Sequence, residues 1–163
     1  MRVREAVSAD WERIWPLWHR VVATGETYMW DPATDEDSAR SVWMLPAPAQ
    51  VFVAEDEGRI VGTALLKPNQ PGLGDHVANA GFMVDQDRAG EGIGRTLAHH
   101  VLSAARAQRY QAMQFNAVVS TNTGAIALWA SLGFKIVGTV PGAFRHPTQG
   151  YADIHIMYRG LVA

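Results

Sequence analysis

With 163 residues, a net charge of −2 and no cysteine, the chain has the length of one domain with a single core, and disulfide scaffolds, thiolate metal sites and cysteine nucleophiles are excluded. The near-balance of charge gives no overall reason to seek nucleic acid or an anionic membrane. Apolar runs such as "IVGTALL" and "AMQFNAVV" are too short for a membrane span, and "MRVREAVSAD" lacks the apolar stretch of a signal peptide.

The expectation is one domain over residues 1–163, cytoplasmic, with no nucleic-acid and no membrane partner. "RVREAV" alternates apolar and charged residues as a half-buried strand does, and Ser8 stands where a helix N-cap belongs. Trp11, Ile14, Trp15, Trp18, Val21 and Val22 follow at helical spacing, with Pro16 predicting a bend or break. "TGETYMWDPAT" reads as a loop and Asp35 to Leu45 as a second helix, ended by "PAPAQ". "QVFVAE", a "DEGR" turn and "IVGTALLK" form an antiparallel hairpin. Beyond "PNQPGLGD" lies "HVANAGFMV", a strand whose small residues predict close approach by a neighbour. A helix from about Gly92 to Gln108, the strand "AMQFNAVV" and the helix "NTGAIALWASLG", closed by Gly133, come next. The strands "FKIVGTV" and "ADIHIMYRG" end the chain, joined through the long polar loop "PGAFRHPTQGYAD". The fold class is α/β, a mixed sheet with helices on its faces in the order β-α-α-β-β-β-α-β-α-β-β, with two βαβ-like units in its second half.

Gly90, Gly92 and Gly94 precede the third helix. A helix start presents unpaired N–H groups and partial positive charge, and glycines leave phosphate oxygens room to reach those amides; Arg88 and Arg95 add charge nearby. "AGEGIGRT" departs from a kinase-type phosphate loop at Ala89 and Arg95, and the next strand offers no acid for magnesium. It departs from the dinucleotide fingerprint at Leu97.

This loop, followed by "NTGAIALWASLGF", resembles the paired motifs of the GNAT superfamily of acyltransferases. The resemblance covers nearly the whole chain and implies a GNAT-like, mostly antiparallel sheet, acetyl-CoA as cosubstrate and no metal. It implies that Ala89, Gly90, Glu91, Gly92, Ile93, Gly94 and Arg95 surround the pyrophosphate and that Asn122 and Ala125 lie along the pantetheine. A backbone N–H at Met83 or Val84 would polarise the thioester carbonyl. Ala89 stands where the family has Arg or Gln, and Trp129 where it commonly has the tyrosine that protonates the departing sulfur. A thiol of pKa about 8.5 leaves tolerably as thiolate, so the loss is survivable and Trp129 reads as pocket wall.

The acceptor amine is harder to activate: at pKa about 10.4 its free base costs about 4 to 5 kcal/mol at neutral pH. His76 is the candidate base. Asn79 and Asn116 interrupt apolar strands, so each wants a polar partner or a place in the acceptor pocket, binding a carboxylate or orienting the amine. Glu26, Thr27, Tyr28 and Trp30, in the loop after the first helix, are candidate acceptor-pocket residues by the same resemblance. Arg145 and His146 are candidate carboxylate contacts, whereas His99 and His100 lack metal-ligand spacing. Asn79, Asn116, Asn122 and the missing tyrosine resemble acetyltransferases of cyclic imino acids such as azetidine-2-carboxylate and hydroxyproline. The resulting expectation is acetyl transfer to the amine of a small molecule, an amino or imino acid, by direct attack without an acyl-enzyme. The alternatives are a catalytically silent CoA-binding regulatory module and an acetyltransferase of protein or peptide amines. The family resemblance also implies a homodimer, which exposed tryptophans would suit.

Overall fold

The computed structural model describes residues 1–162. β1 (Arg2–Glu5) leads through a 3-10 turn into α1 (Trp11–Ala23), α2 (Glu36–Trp43), β2 (Gln50–Asp56), β3 (Arg59–Pro68) and β4 (Val77–Val84). Then follow α3 (Ile93–Ala107), β5 (Ala112–Val119), α4 (Thr123–Ser131), β6 (Lys135–His146) and β7 (Gly150–Gly160). One seven-stranded sheet has the order β1-β2-β3-β4-β5-β7-β6, antiparallel except where β4 meets β5. The expected element order is present. Of the two βαβ units, only β4-α3-β5 joins adjacent strands; β7 inserts between β5 and β6.

Two cores follow from strand alternation. Ala64, Leu66, Ala78 and Ala80 pack with Ile93, Leu97, Val101 and Trp129 on the α3/α4 face. Val51, Val53, Leu65 and Met83 pack with Trp11, Ile14, Trp18 and Trp43 on the α1/α2 face. Four of the six tryptophans are buried and Trp15 and Trp30 half-buried, so no exposed tryptophan is offered to a partner. The large exposed apolar side chains of the last two strands are Ile136, Val137, Val140, Tyr151 and Tyr158.

Local chemistry overrides the sequence reading at three places. α1 runs unbroken through Pro16, because a proline in the second turn forfeits one backbone bond while Ile14, Leu17 and Trp18 hold the helix to the core. Its N-cap position falls on Asp10 rather than Ser8, yet the Asp10 carboxylate makes no bond to the α1 amides and instead accepts from Val7 N–H at 2.8 Å and is gripped by Arg4 at 2.7 and 2.9 Å. The expected loop "PGAFRHPTQGYAD" is largely strand, since a bulge between Val140 and Phe144 lets β6 continue to His146. Gly142, at φ +60°, turns there and donates its N–H to Asp153. His146 is buried, its Nδ1 accepting from the amides of Thr148 and Gln149, and Arg145 is exposed.

A candidate active site in the wedge between two strands

β4 and β5 pair only at Val77 with Ala112 and Ala78 with Met113. One step further the Asn79 Nδ2 donates to the Gln114 carbonyl at 2.9 Å, a side chain standing in for the backbone donor of the next rung. Beyond that the strands part. A bulge between Phe115 and Val118 breaks the β5 ladder with β7 and turns Asn116 and Ala117 out of register. The gap opens into a cavity of about 710 Å³ that reaches from the glycine loop to the segment after α1.

The ladder with β3 decides which main-chain groups of β4 face this gap. Asn69 N–H bonds the Val77 carbonyl and Asp85 N–H bonds the Val61 carbonyl. Antiparallel alternation between these points commits the odd-numbered residues, Met83 included, to β3 and leaves Ala80, Phe82 and Val84 facing the wedge. Both wedge-facing groups of Phe82 are occupied: the Tyr28 hydroxyl accepts from its N–H at 2.8 Å and donates to its carbonyl at 2.6 Å. Burial pushes the Tyr28 phenol well above its ordinary range. Of the two expected polarising amides, Met83 is therefore in the ladder and Val84 on the open edge.

α3 reaches the wedge because β3 carries no side chain at Gly62, where a Cβ would stand 2.8 Å from Leu97 Cδ1 and 3.0 Å from Ile93 Cγ2. Gly90 and Gly92 have φ of +86° and +81°, and no heavy atom lies within 4 Å of where their Cβ atoms would be. Gly92 is the N-cap of α3 and supplies no side-chain acceptor, so the first-turn amides face outward uncapped, as an anion requires. Arg88 bonds Asp56 at 2.8 Å and Glu91 at 2.8 Å, pinning the loop to the β2–β3 turn. The residues present fit the diphosphate of a CoA thioester.

Of the sequence-predicted residues, Met83, Val84, Ala89, Gly90, Gly94, Asn122, Ala125 and Trp129 line the cavity together with Thr27, Tyr28, Trp30, Asn79 and Asn116. The others do not. Ile93 is buried beneath the loop and Gly92 shapes it without lining the cavity; Glu91 turns to Arg88 and Arg95 donates to Ser131 Oγ at 3.0 Å. Glu26 is exposed, and His76 is exposed just before β4, at the closed end of the wedge. Trp129 is buried against Phe82, Phe115 and Phe134, with ring centroids 4.9, 4.7 and 6.0 Å away, and so walls the wedge. The Asn122 side chain accepts from Ala125 N–H and caps α4.

Sequence reasoning passed over Phe82 and Lys67. The lysine ends the run "IVGTALLK" and reads as the polar tip of a strand; only its register opposite Asn79 brings it to the cavity. Tyr28, Lys67 and Asp85 are the titratable side chains among the described lining residues. Asp85 is engaged by Arg20 at 3.4 Å and by Asp87 N–H at 3.1 Å.

A model of the acetyltransferase (GNAT) family matches residues 6–134. The N-acetyltransferase aca1 of Schizosaccharomyces pombe is 35% identical over 113 residues, 68% of this chain and 54% of that protein, so the chain spans about half the length of this curated relative. A GCN5-related N-acetyltransferase from Kribbella flavida is 47% identical and superposes with a TM-score of 0.93 over 98% of this chain and 96% of the other. The fold is also that of a GNAT-superfamily phosphinothricin acetyltransferase from Sinorhizobium meliloti in complex with AcCoA, at TM-score 0.86, 21% identity and coverage of 98% and 87%. With the wedge, the uncapped glycine loop and these matches together, the chain belongs to the GNAT family of acetyltransferases.

Proposed function

We propose that this protein transfers the acetyl group of acetyl-CoA to the amine of a small amino or imino acid by direct attack. The observation that carries the reading is the single cavity that joins the glycine loop, through the parted strands, to a polar floor on the opposite face. The bound cosubstrate supplies an acyl group activated as a thioester. The chain's own groups do the rest. Loop and first-turn amides of α3 hold the diphosphate, and the open-edge N–H of Val84 bonds the main chain of the pantetheine arm or the reacting carbonyl. Asn79 and Asn116 lie on the α1/α2 face, away from the glycine loop, where the acceptor enters.

The sequence holds no cysteine to carry an acyl group, and the Tyr28 hydroxyl at the β4 edge is committed to Phe82, so the proposed route is direct attack without an acyl-enzyme. The upward-shifted Tyr28 phenol is too weak an acid to protonate a leaving thiolate, and a thiolate departs unaided at neutral pH.

The second reading, a CoA-binding module without chemistry, draws on Trp129 in place of a proton donor. Asn79 and Asn116 on the cavity floor weigh against it. Thiol release from acetyl-CoA, measured across cyclic imino acids, amino acids, aminoglycosides and peptides, tests both. Turnover with the imino or amino acids is expected; binding of acetyl-CoA without turnover on any amine returns the module, and turnover on peptides alone returns a protein acetyltransferase.

A further inference from the structure

The cavity floor holds one cation and no partner for it. Lys67 is the cationic side chain among the described lining residues, it is half-buried, and no carboxylate of the described residues ion-pairs with it. Asp85, the cavity's carboxylate, stands six residues from Asn79 along β4, about 20 Å at 3.3 Å per residue. A half-desolvated ammonium without a counter-ion is costly.

Alternation puts Lys67 on the α1/α2 face with Leu65, directly across from Asn79. Asn116 comes from β5 to the same floor. Each primary amide carries two N–H donors. Asn79 spends one on the Gln114 carbonyl, and Asn116 one on Asn69 Oδ1 at 2.7 Å while its own oxygen accepts from Gln114. One donor on each remains, along with the Asn79 oxygen as acceptor.

We infer that Lys67 is the counter-ion for a carboxylate on the acceptor, the determinant that makes the protein select an amine carrying a free acid. The inference rests on the acetyl-transfer reading above. The spare Asn79 and Asn116 N–H groups complete the carboxylate site, and the Asn79 oxygen accepts from the acceptor's nitrogen. One ammonium plus neutral amides matches a monoanion; a phosphate dianion would want a second cation or a bidentate guanidinium.

The test compares azetidine-2-carboxylate with its carboxamide as acceptors for wild type, Lys67→Met and Lys67→Arg, with acetyl-CoA binding followed by calorimetry. Wild type is expected to prefer the acid at least tenfold in kcat/KM. Lys67→Met should raise KM for the acid at least tenfold and change the carboxamide less than threefold, so that the preference collapses, while Lys67→Arg retains it. Acetyl-CoA affinity should be unchanged in both variants, which also shows that they fold. A preference unaltered in Lys67→Met, or absent in a wild type that does acetylate amines, overturns the Lys67 assignment and leaves acetyl transfer standing. Absence of thiol release with every amine while acetyl-CoA still binds defeats the acetyl-transfer reading, and the assignment falls with it.

Discussion

The hydroxyl of Tyr28 clasps both main-chain polar groups of Phe82, accepting at 2.8 Å and donating at 2.6 Å. The ring is stacked on Trp30, centroids 5.2 Å apart at 11°, and a Cβ at Gly81 would come within 3.4 Å of the hydroxyl and 3.3 Å of Trp43. Tyr28 and Trp43 thus occupy the surface of β4 that a side chain at position 81 would claim, and Tyr28 seals the strand edge beside the open Val84. Tyr28→Phe is expected to lower unfolding free energy by about 1 to 3 kcal/mol, the cost of stranding two main-chain groups. Acetyl-CoA affinity should stay within threefold of wild type, because the freed edge becomes available to ligand. Denaturation and calorimetry check this; a tenfold loss of affinity would make Tyr28 a cosubstrate contact instead.

Gly92 and Gly124 separate conformation from space. Gly92 sits at φ +81° with nothing near its missing Cβ, so Gly92→Ala should cost about 1 to 2 kcal/mol of backbone strain and weaken acetyl-CoA by disturbing the start of α3. Gly124 lies in α4, has an unobstructed Cβ position and lines the cavity. Gly124→Ala should be neutral or stabilising by up to about 1 kcal/mol, yet weaken acetyl-CoA several-fold by filling space. Calorimetry beside thermal unfolding distinguishes the two; unchanged affinity in Gly124→Ala would route the pantetheine elsewhere.

Most elements are legible in the sequence because each buries one stripe. The Trp11 to Val22 spacing, the two apolar runs around "DEGR" and the glycines before α3 all carry their periods openly. What periodicity does not carry is where neighbours part. The sequence marks Asn79 and Asn116 as out of place in β4 and β5 but not the parting of the two strands, which depends on Asn79 reaching the Gln114 carbonyl and on the bulge at Asn116 and Ala117, both products of contacts distant in sequence. His76 reads as a plausible base for the same reason, since its place at the closed end follows only from which rungs are made. Lys67 is ordinary in the sequence and becomes notable only opposite Asn79. Ser8 opens a 3-10 turn instead of capping α1, and its hydroxyl accepts from Arg40, a partner 32 residues away.

The Arg4–Asp10 contact sets an acid limit on stability. The Arg4 guanidinium, which also grips Glu55 at 2.9 Å, lowers Asp10 to about 2, with the Val7 N–H assisting and burial opposing. The folded carboxyl titrates below its unfolded counterpart, so its contribution is complete above about pH 4 and is lost as pH falls towards 2. For this residue, 4% exposed, the shift corresponds to about 2 kcal/mol. Asp10→Asn should therefore be about 2 kcal/mol less stable than wild type at pH 7 in urea titrations, with the gap narrowing below pH 4. A gap constant from pH 7 to 2 would mean that the ionised carboxylate contributes nothing beyond its geometry.

Proton removal from the acceptor leaves its mark on the rate. His76 stands outside the wedge, Asp85 is held by Arg20, and the Tyr28 phenol, raised by burial, stays protonated across the working range. With no free base among the described lining residues, the acceptor must bind already deprotonated or lose its proton to water. Because kcat/KM reports the ionisations of free enzyme and free substrate, it should climb about tenfold per pH unit from pH 6 until the acceptor's own pKa, near 10 for an alkyl amine. An imidazole base would instead bend the profile near pH 6.5 and flatten it above. His76→Ala should leave the slope and height of the profile within twofold of wild type. A plateau that begins near neutrality and vanishes in His76→Ala would return the histidine to the reaction, and would require the strands to open further than their pairing at Val77 and Ala78 allows.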